Sequence, residues 1–256
     1  MHKIKTVILG FTATLLLSAC VSRPSDPDAA AIYDQNNDPL EPMNRAVYGF
    51  NQAADRYVLT PLVKGYRTIT PDFARTGLDN FFTNLKQPIY FVNALLQADF
   101  KAAGTIAGRF SVNSLIGFFG FVDSASKMDI PVVKRDFGGT LAVWGVKESG
   151  PYLVLPLLGP STVRETVGMG VDALGNPVSW ALYEEPALAY GQMGGNAFVS
   201  RDNAQELLDT IQKSSTDSYA TMRSMYQQNR QKEINTLRGE TEVAPDYDFD
   251  FPDDEE

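Results

Sequence analysis

Histidine and cysteine are almost missing from this 256-residue chain: the one histidine is His2 and the one cysteine is Cys20. Both lie ahead of any segment that reads as folded. The folded part therefore has no histidine-dependent triad, no Cys–His nucleophile and none of the common zinc ligand sets. Long apolar runs are missing too, and stretches of about eleven apolar residues are too short to cross a bilayer as a helix. No basic patch interleaved with aromatics stands out, which argues against nucleic acid as a partner. Formal matches to enzyme motifs lack their companions. Residues 124–127, "SASK", have the spacing of penicillin-recognising serine enzymes, but no S-D-N or K-T-G element accompanies them. Residues 168–175, "GMGVDALG", lack the spacing of a dinucleotide-binding loop. The 31 carboxylates single out no pair. The expectation is a protein that is not an enzyme, with no catalytic residue, no metal and no cofactor.

The first residues supply what the rest lacks. Lys3 and Lys5 make a positive head, and an apolar segment runs over 7–17, the layout of a secretory signal. It ends in "LSAC", residues 17–20, which resembles the lipobox of bacterial lipoproteins. That resemblance implies removal of residues 1–19 and acylation of Cys20, whose covalent lipid then anchors the mature chain. Val21 and Ser22 follow where an aspartate would favour the inner membrane, so the expected location is the periplasmic leaflet of the outer membrane. Residues 20–37, polar with two prolines and three aspartates, read as a flexible tether. Without Lys3 and Lys5, 20 basic residues face 31 acidic ones, and nine of those acids crowd into the last 17 residues. Residues 239–256 therefore read as a disordered acidic tail, and residues 38–238 as one nearly neutral domain.

Within that domain the periodicity predicts helices. Asp38, Pro39 and Glu41 have the spacing of a capping box. Met43, Ala46, Val47, Phe50, Ala54, Tyr57 and Val58 follow as one apolar stripe, with Pro61 as the stop. Thr70 and Pro71 open a second helix, whose apolar face is Leu78, Phe81, Phe82 and Leu85, and Pro88 opens or kinks the next. A further helix carries Phe100, Ala103, Ala107 and Phe110 on one face. Residues 112–123, "VNSLIGFFGFVD", hold three phenylalanines among glycines and no charge before Asp123. Two readings stand for them: a close-packed core segment, or an edge that touches lipid. Residues 152–155 before Pro156 read as an edge strand, Ser161 as the cap of the next helix, and 201–238 as two helices with polar backs. The fold class is mainly α with at most a short β element.

Taken together, "DPLEPMNRAVYGFN" (38–51), "GLDNFFTNLKQPIYFVNALLQAD" (77–99), "RFSVNSLIGFFGFVDSAS" (109–126) and "DFGGTLAVWGVKESGPYLVLPLLGPSTVRETVG" (136–168) resemble the MlaA/VacJ family of outer-membrane lipoproteins. The resemblance implies a ring of helices around an amphipathic channel. Through it, phospholipids that have strayed into the outer leaflet return and pass to the periplasmic carrier MlaC. It also implies association with a porin trimer, and no bond made or broken. The alternatives are a structural lipoprotein that scaffolds a porin or an assembly machine, and a lipid hydrolase. Within this frame the candidates for channel or membrane contact are Phe50, Asn51, Tyr57, Phe81, Phe82, Leu115, Phe118, Phe119 and Phe121, and the phenylalanine–glycine segment reads as lipid-facing.

Overall fold

The computed structural model describes residues 38–146 and 148–240. The signal, Cys20, the tether and the acidic tail beyond 240 lie outside the described residues. The described chain is mainly helical with one two-stranded sheet.

Helix α1, Glu41–Ala54, runs without a break through a π-helical turn, Asp55–Leu59, into α2, Thr60–Ile69. Two sequence expectations fail here. Asp38 does not cap α1, whose N-cap is Leu40 with no side-chain bond; the Asp38 carboxylate is buried and accepts from Asn44, Tyr219 and Arg223. Nor does Pro61 end the helix. In the wider π turn the Thr60 N–H reaches back five residues to the Asp55 carbonyl, and Pro61, which has no N–H to offer, falls in the first turn of α2.

Most of the apolar stripe of α1 is turned the other way from the expectation, although Val47 packs on the buried cluster of Tyr152, Val154 and Tyr219. Phe50, Tyr57 and Val58 face out, whereas Asn44 is fully buried. Asn44 and Asn51, seven residues and two turns apart, share the inward face. Asn44 bonds the edge of strand β1 (Tyr152–Leu155) as a neighbouring strand would, and Asn51 bonds the turn that follows the strand. The Asn44 side chain donates to the Tyr152 carbonyl at 2.9 Å and accepts from the Val154 N–H at 2.9 Å. Asn51 donates to the Leu155 carbonyl at 2.9 Å and accepts from the Leu157 N–H at 2.8 Å. The opposite edge of β1 pairs antiparallel with β2, Gly159–Thr162, in the register Tyr152↔Thr162 and Leu155↔Gly159. A strand edge in want of partners is thus closed by a helix.

Helix α3, Asp72–Leu96, begins after Pro71 in the N-cap position; Thr70 closes α2 and does not cap α3. Pro88 lies inside α3 and opens no new element. Helix α4, Phe100–Leu115, is capped by Asp99, which accepts from the Ala102 N–H at 2.9 Å. The two pack as a hairpin through small residues, Ala94, Ala102, Ala103 and Ile106, with Tyr90 and Val133 against them. The face expected from Phe100, Ala103, Ala107 and Phe110 is buried only in part: Ala103 is in the core, but Phe100 and Phe110 are exposed, and Ile106, Arg109 and Asn113 point inward.

Helix α5, Phe137–Val143, crosses α6, Val163–Gly175, so closely that a Cβ on Gly168 would collide with the Gly138 backbone. Thr162 caps α6, accepting from the Glu165 N–H; Ser161, the expected cap, is buried in β2 one residue earlier. Short α7, Pro177–Ala181, leads to α8, Pro186–Asn203, then α9, Gln205–Ser214, and α10, Ser218–Leu237. Helix α8 spans residues for most of which the sequence reading names no element. The last helix is more than a surface element: Tyr219 and Ile234 are buried, and Arg230 bridges Asp136 and Glu165 from two other segments. No helix among the described residues is long and apolar enough to cross a membrane.

The inversion of α1 has a measurable consequence. Asn44→Ala leaves the Val154 N–H and the Tyr152 carbonyl buried without partners, and is expected to cost about 1–3 kcal/mol. Phe50→Ser, on the apolar but exposed face, should stay within about 0.5 kcal/mol. Urea unfolding of both variants in detergent checks the contrast; a larger loss for Phe50→Ser would return the stripe to the core.

Candidate lipid-contact surface

The segment after α4 turns its side chains out by an uncommon backbone. Phe118 and Phe119 both sit in the left-handed region, with φ of 56° and 59°, followed by Gly120 at 96°. Each non-glycine residue held there costs about 1–2 kcal/mol, so the surrounding structure must enforce it. Gly120 lies against the Asn84 side chain of α3, with no room for a Cβ. The Gly120 N–H donates to the Asn113 carbonyl at 2.8 Å and the Val122 N–H to the Gly117 carbonyl at 2.8 Å. With both glycines buried, Phe118 and Phe119 are pushed out to 76% and 73% exposure, and Leu115 to 83%.

Two buried residues of α4 hold this loop from below. Arg109, 2% exposed, places Nη2 at 2.9 Å from each carboxylate oxygen of Asp123, and its Nη1 donates to the Ile130 carbonyl. One turn on, Asn113 donates to Asp123 at 3.0 Å and accepts from the Ala125 N–H at 2.8 Å. Burial alone would raise the Asp123 carboxyl. Hydrogen bonds from the Ser126 hydroxyl and N–H, Asn113 and Arg109 outweigh it and hold the pKa at about 2.

The other sequence candidates fall in three places. Phe121, half-buried, stacks on Phe81 with ring centroids 5.0 Å apart, and Phe81 meets Phe82 edge-on at 5.4 Å. Phe50 and Tyr57 lie on the exposed face of α1 and the π turn, where Leu62, Ile69 and Phe73 extend the apolar surface beyond what the sequence singled out. Asn51 is the exception. Its side chain is turned to the hairpin and is a structural clamp. Cys20 lies outside the described residues. Not singled out from the sequence were the exposed Leu157 and Leu158 at the hairpin tip, Trp180 on α7, Tyr183 after it and Tyr190 on α8. Contiguous exposed aromatics of this kind mark contact with lipid or protein.

A cavity of about 370 Å³ lies elsewhere, among α5, β2, α6 and α10, lined by Asp136, Glu165, Asp172, Tyr226, Arg230 and Glu233. Its lining is charged. Arg230 binds Asp136 at 2.6 Å and Glu233 at 2.6 Å and also reaches Glu165. Burial raises the Asp172 carboxyl above its usual range despite hydrogen bonds from Asn93 and the Phe137 N–H. These contacts tie helices together, and none of the expected lipid-contact residues lines the cavity.

A helical protein with amides and arginines drawn inward and phenylalanines held outward has an interaction surface of apolar character. Comparison with known proteins gives the family. A model of the MlaA lipoprotein family matches residues 36–233. The "Intermembrane phospholipid transport system lipoprotein MlaA" of Haemophilus influenzae is 34% identical over 245 residues, covering 91% of this chain and 92% of that protein. The Escherichia coli K12 protein of the same name is 33% identical over 220 residues, covering 83% and 82%. A solved structure reported as "Structural basis for maintenance of bacterial outer membrane lipid asymmetry" superposes with a TM-score of 0.64 at 29% identity, covering 78% of this chain and 98% of that one. This chain belongs to the MlaA lipoprotein family.

The frame beneath the loop titrates at its acidic end. Because the Asp123 carboxyl is depressed from 3.8 to about 2 in the folded chain, its contribution is complete above the unfolded value and is lost as pH falls through about 4 toward 2. Amide protection over 117–126, corrected for intrinsic exchange, should therefore fall between pH 5 and pH 2.5. Arg109→Met should produce the same loss already at pH 7. Protection unchanged in both cases would show that the loop is held by other contacts.

Proposed function

We propose that this chain is a lipid-anchored protein of the outer membrane that takes phospholipids out of the outer leaflet and hands them to a periplasmic carrier. The observation that carries the proposal is the outward Phe118–Phe119 pair on its buried Arg109–Asn113 frame. A loop strained to keep two phenylalanines exposed is a contact element for an apolar phase. The names of the relatives from Haemophilus influenzae and Escherichia coli support phospholipid as the cargo.

In this reading acylated Cys20 fixes the domain to the inner leaflet. The apolar faces of α1, α2 and the 115–122 loop sit among acyl chains, and headgroups pass along an amphipathic channel within the helical ring. The soluble acceptor is a carrier of the MlaC type, and a porin trimer holds the domain in place. Lipid moves by partition between the membrane, the protein and the carrier, and no covalent bond changes.

The test uses purified full-length protein and labelled phospholipid. Intact lipid that co-purifies is the expected result. Release of fatty acid would make the protein a hydrolase, and the absence of bound lipid would leave a scaffold for its porin. Phe119→Asp sharpens the point. The exposed position predicts an unchanged cooperative melt in detergent, together with phospholipid at the cell surface and detergent sensitivity in cells. A misfolded variant, or one with full outer-membrane asymmetry, would overturn the role given to the loop.

A further inference from the structure

Among the described lysines, Lys86 on α3 alone is drawn in from solvent; the others are exposed. It makes no hydrogen bond or ion pair with any described residue. The acid that acts on it, Asp79, lies two turns earlier on the same helix and accepts from Asn203 of α8 at 2.7 Å. The second charge that reaches it is of like sign, the exposed Lys134. Lys134 follows Val133, which packs on the cluster around Tyr90, one turn beyond Lys86 on α3. The next cation along, Arg135, is satisfied by Asp99 at 2.8 Å. Burial, with the Lys134 charge adding to it, lowers the Lys86 ammonium below the ordinary lysine range. Lys86 is half-buried with no carboxylate bonded to it; the charges that reach it are Lys134, of like sign, and Asp79, whose carboxylate is already bonded to Asn203.

What borders Lys86 is apolar. Residues four apart on a helix share a face, so Phe82 and Tyr90 flank Lys86 on either side. The tip of the Phe82 ring abuts α8 at Gly195, which has no room for a Cβ. From Phe82 the rings continue through Phe81 at 5.4 Å to Phe121 at 5.0 Å, at the foot of the exposed loop. An apolar track thus leads from the loop to an unneutralised cation. That is the chemistry of an acyl chain ending in a phosphate.

We propose that Lys86, with Lys134, binds the phosphate group of a phospholipid whose acyl chain lies along Phe82, Phe81 and Phe121. The inference rests on the phospholipid-transport reading and adds a place where the lipid is held. A lysine pair recognises phosphate as a charge, without the planar fork of arginine, and so accepts any headgroup that carries it. An anion between the two ammonium groups removes their repulsion and raises the Lys86 pKa again.

The full-length protein in maltoside detergent, its lysines labelled by ¹³C reductive methylation, provides the test. The Lys86 resonance is assigned by its loss in Lys86→Gln. Dihexanoylphosphatidylglycerol is expected to shift that resonance and raise its titration midpoint, whereas dihexanoylglycerol, which has no phosphate, should not. Lys86→Gln should bind the phospholipid about tenfold more weakly. Lys134→Gln, a change at an exposed position, should weaken binding in the same direction with no change in melting. Inorganic phosphate should act only at concentrations at least about tenfold higher than the lipid. Equal potency would make this a free-phosphate site and overturn the lipid assignment, and so would a Lys86 resonance that ignores phosphatidylglycerol. If lipid still co-purifies with the protein in that last case, the transport reading stands and the Lys86 site alone falls. If none co-purifies, the transport reading falls with it.

Discussion

The fold depends on asparagine side chains that stand in for backbone. Strand β1 has only one partner strand, and its other edge would be left with unpaired N–H and C=O groups inside the protein. Asn44 supplies a donor and an acceptor to that edge, and Asn51, two helical turns further along α1, supplies both to the turn at the end of the strand. The same device recurs in the other half of the molecule. Asn93 donates to Asp172 of α6 and accepts from Thr140 of α5, and Asn113 joins α4 to the loop after it. An amide is well suited to this because it is neutral and bonds in both directions, so it can be buried without the cost of an isolated charge. Where charges are buried, they come in sets: Arg109 with Asp123, and Arg230 with three carboxylates.

Such an interior leaves the apolar side chains with a different role. Ile106, Tyr152 and Tyr219 sit in small buried clusters, while Phe50, Tyr57, Ile69, Phe73, Phe118 and Phe119 are left outside. A domain of this size in water alone would carry that surface as an aggregation hazard. For a protein whose outer face meets acyl chains it is the ordinary arrangement, since there is no gain in hiding hydrocarbon from hydrocarbon.

That reversal explains what was legible in the sequence. Helical periodicity identified most helices, and Tyr152–Leu155 was legible as a strand before Pro156. The family resemblance, carried by long motifs, is matched by a family model over 36–233. The α1 stripe was also seen, but its direction was not, because a two-faced pattern names two faces without saying which one meets solvent. Reading the apolar face as inward presumes water outside. The failure at Pro61 has a local cause, a π turn that takes it up, and Pro88 lies within α3 without opening a new element. Thr70 and Ser161 were misjudged by one residue each: Pro71 stands at the start of α3 with no side-chain cap, and Thr162, of the same chemistry as Ser161, takes the cap of α6. The frame beneath the loop was visible in principle, as Arg109 and Asn113 stand one turn apart in a stretch otherwise poor in polar groups.

The left-handed pair at Phe118 and Phe119 also bears on kinetics. A flexible apolar loop must lose conformational entropy each time it settles among acyl chains, and that loss slows productive contact and weakens it. This loop has its geometry fixed beforehand by Gly120 against Asn84 and by Arg109 beneath, so little ordering remains to be done at the moment of contact. The favourable term is then limited to a few exposed rings, and it is offset by almost nothing. A contact made on such terms needs no folding step at the moment it forms, so its rate is set by encounter and not by the ordering of the loop.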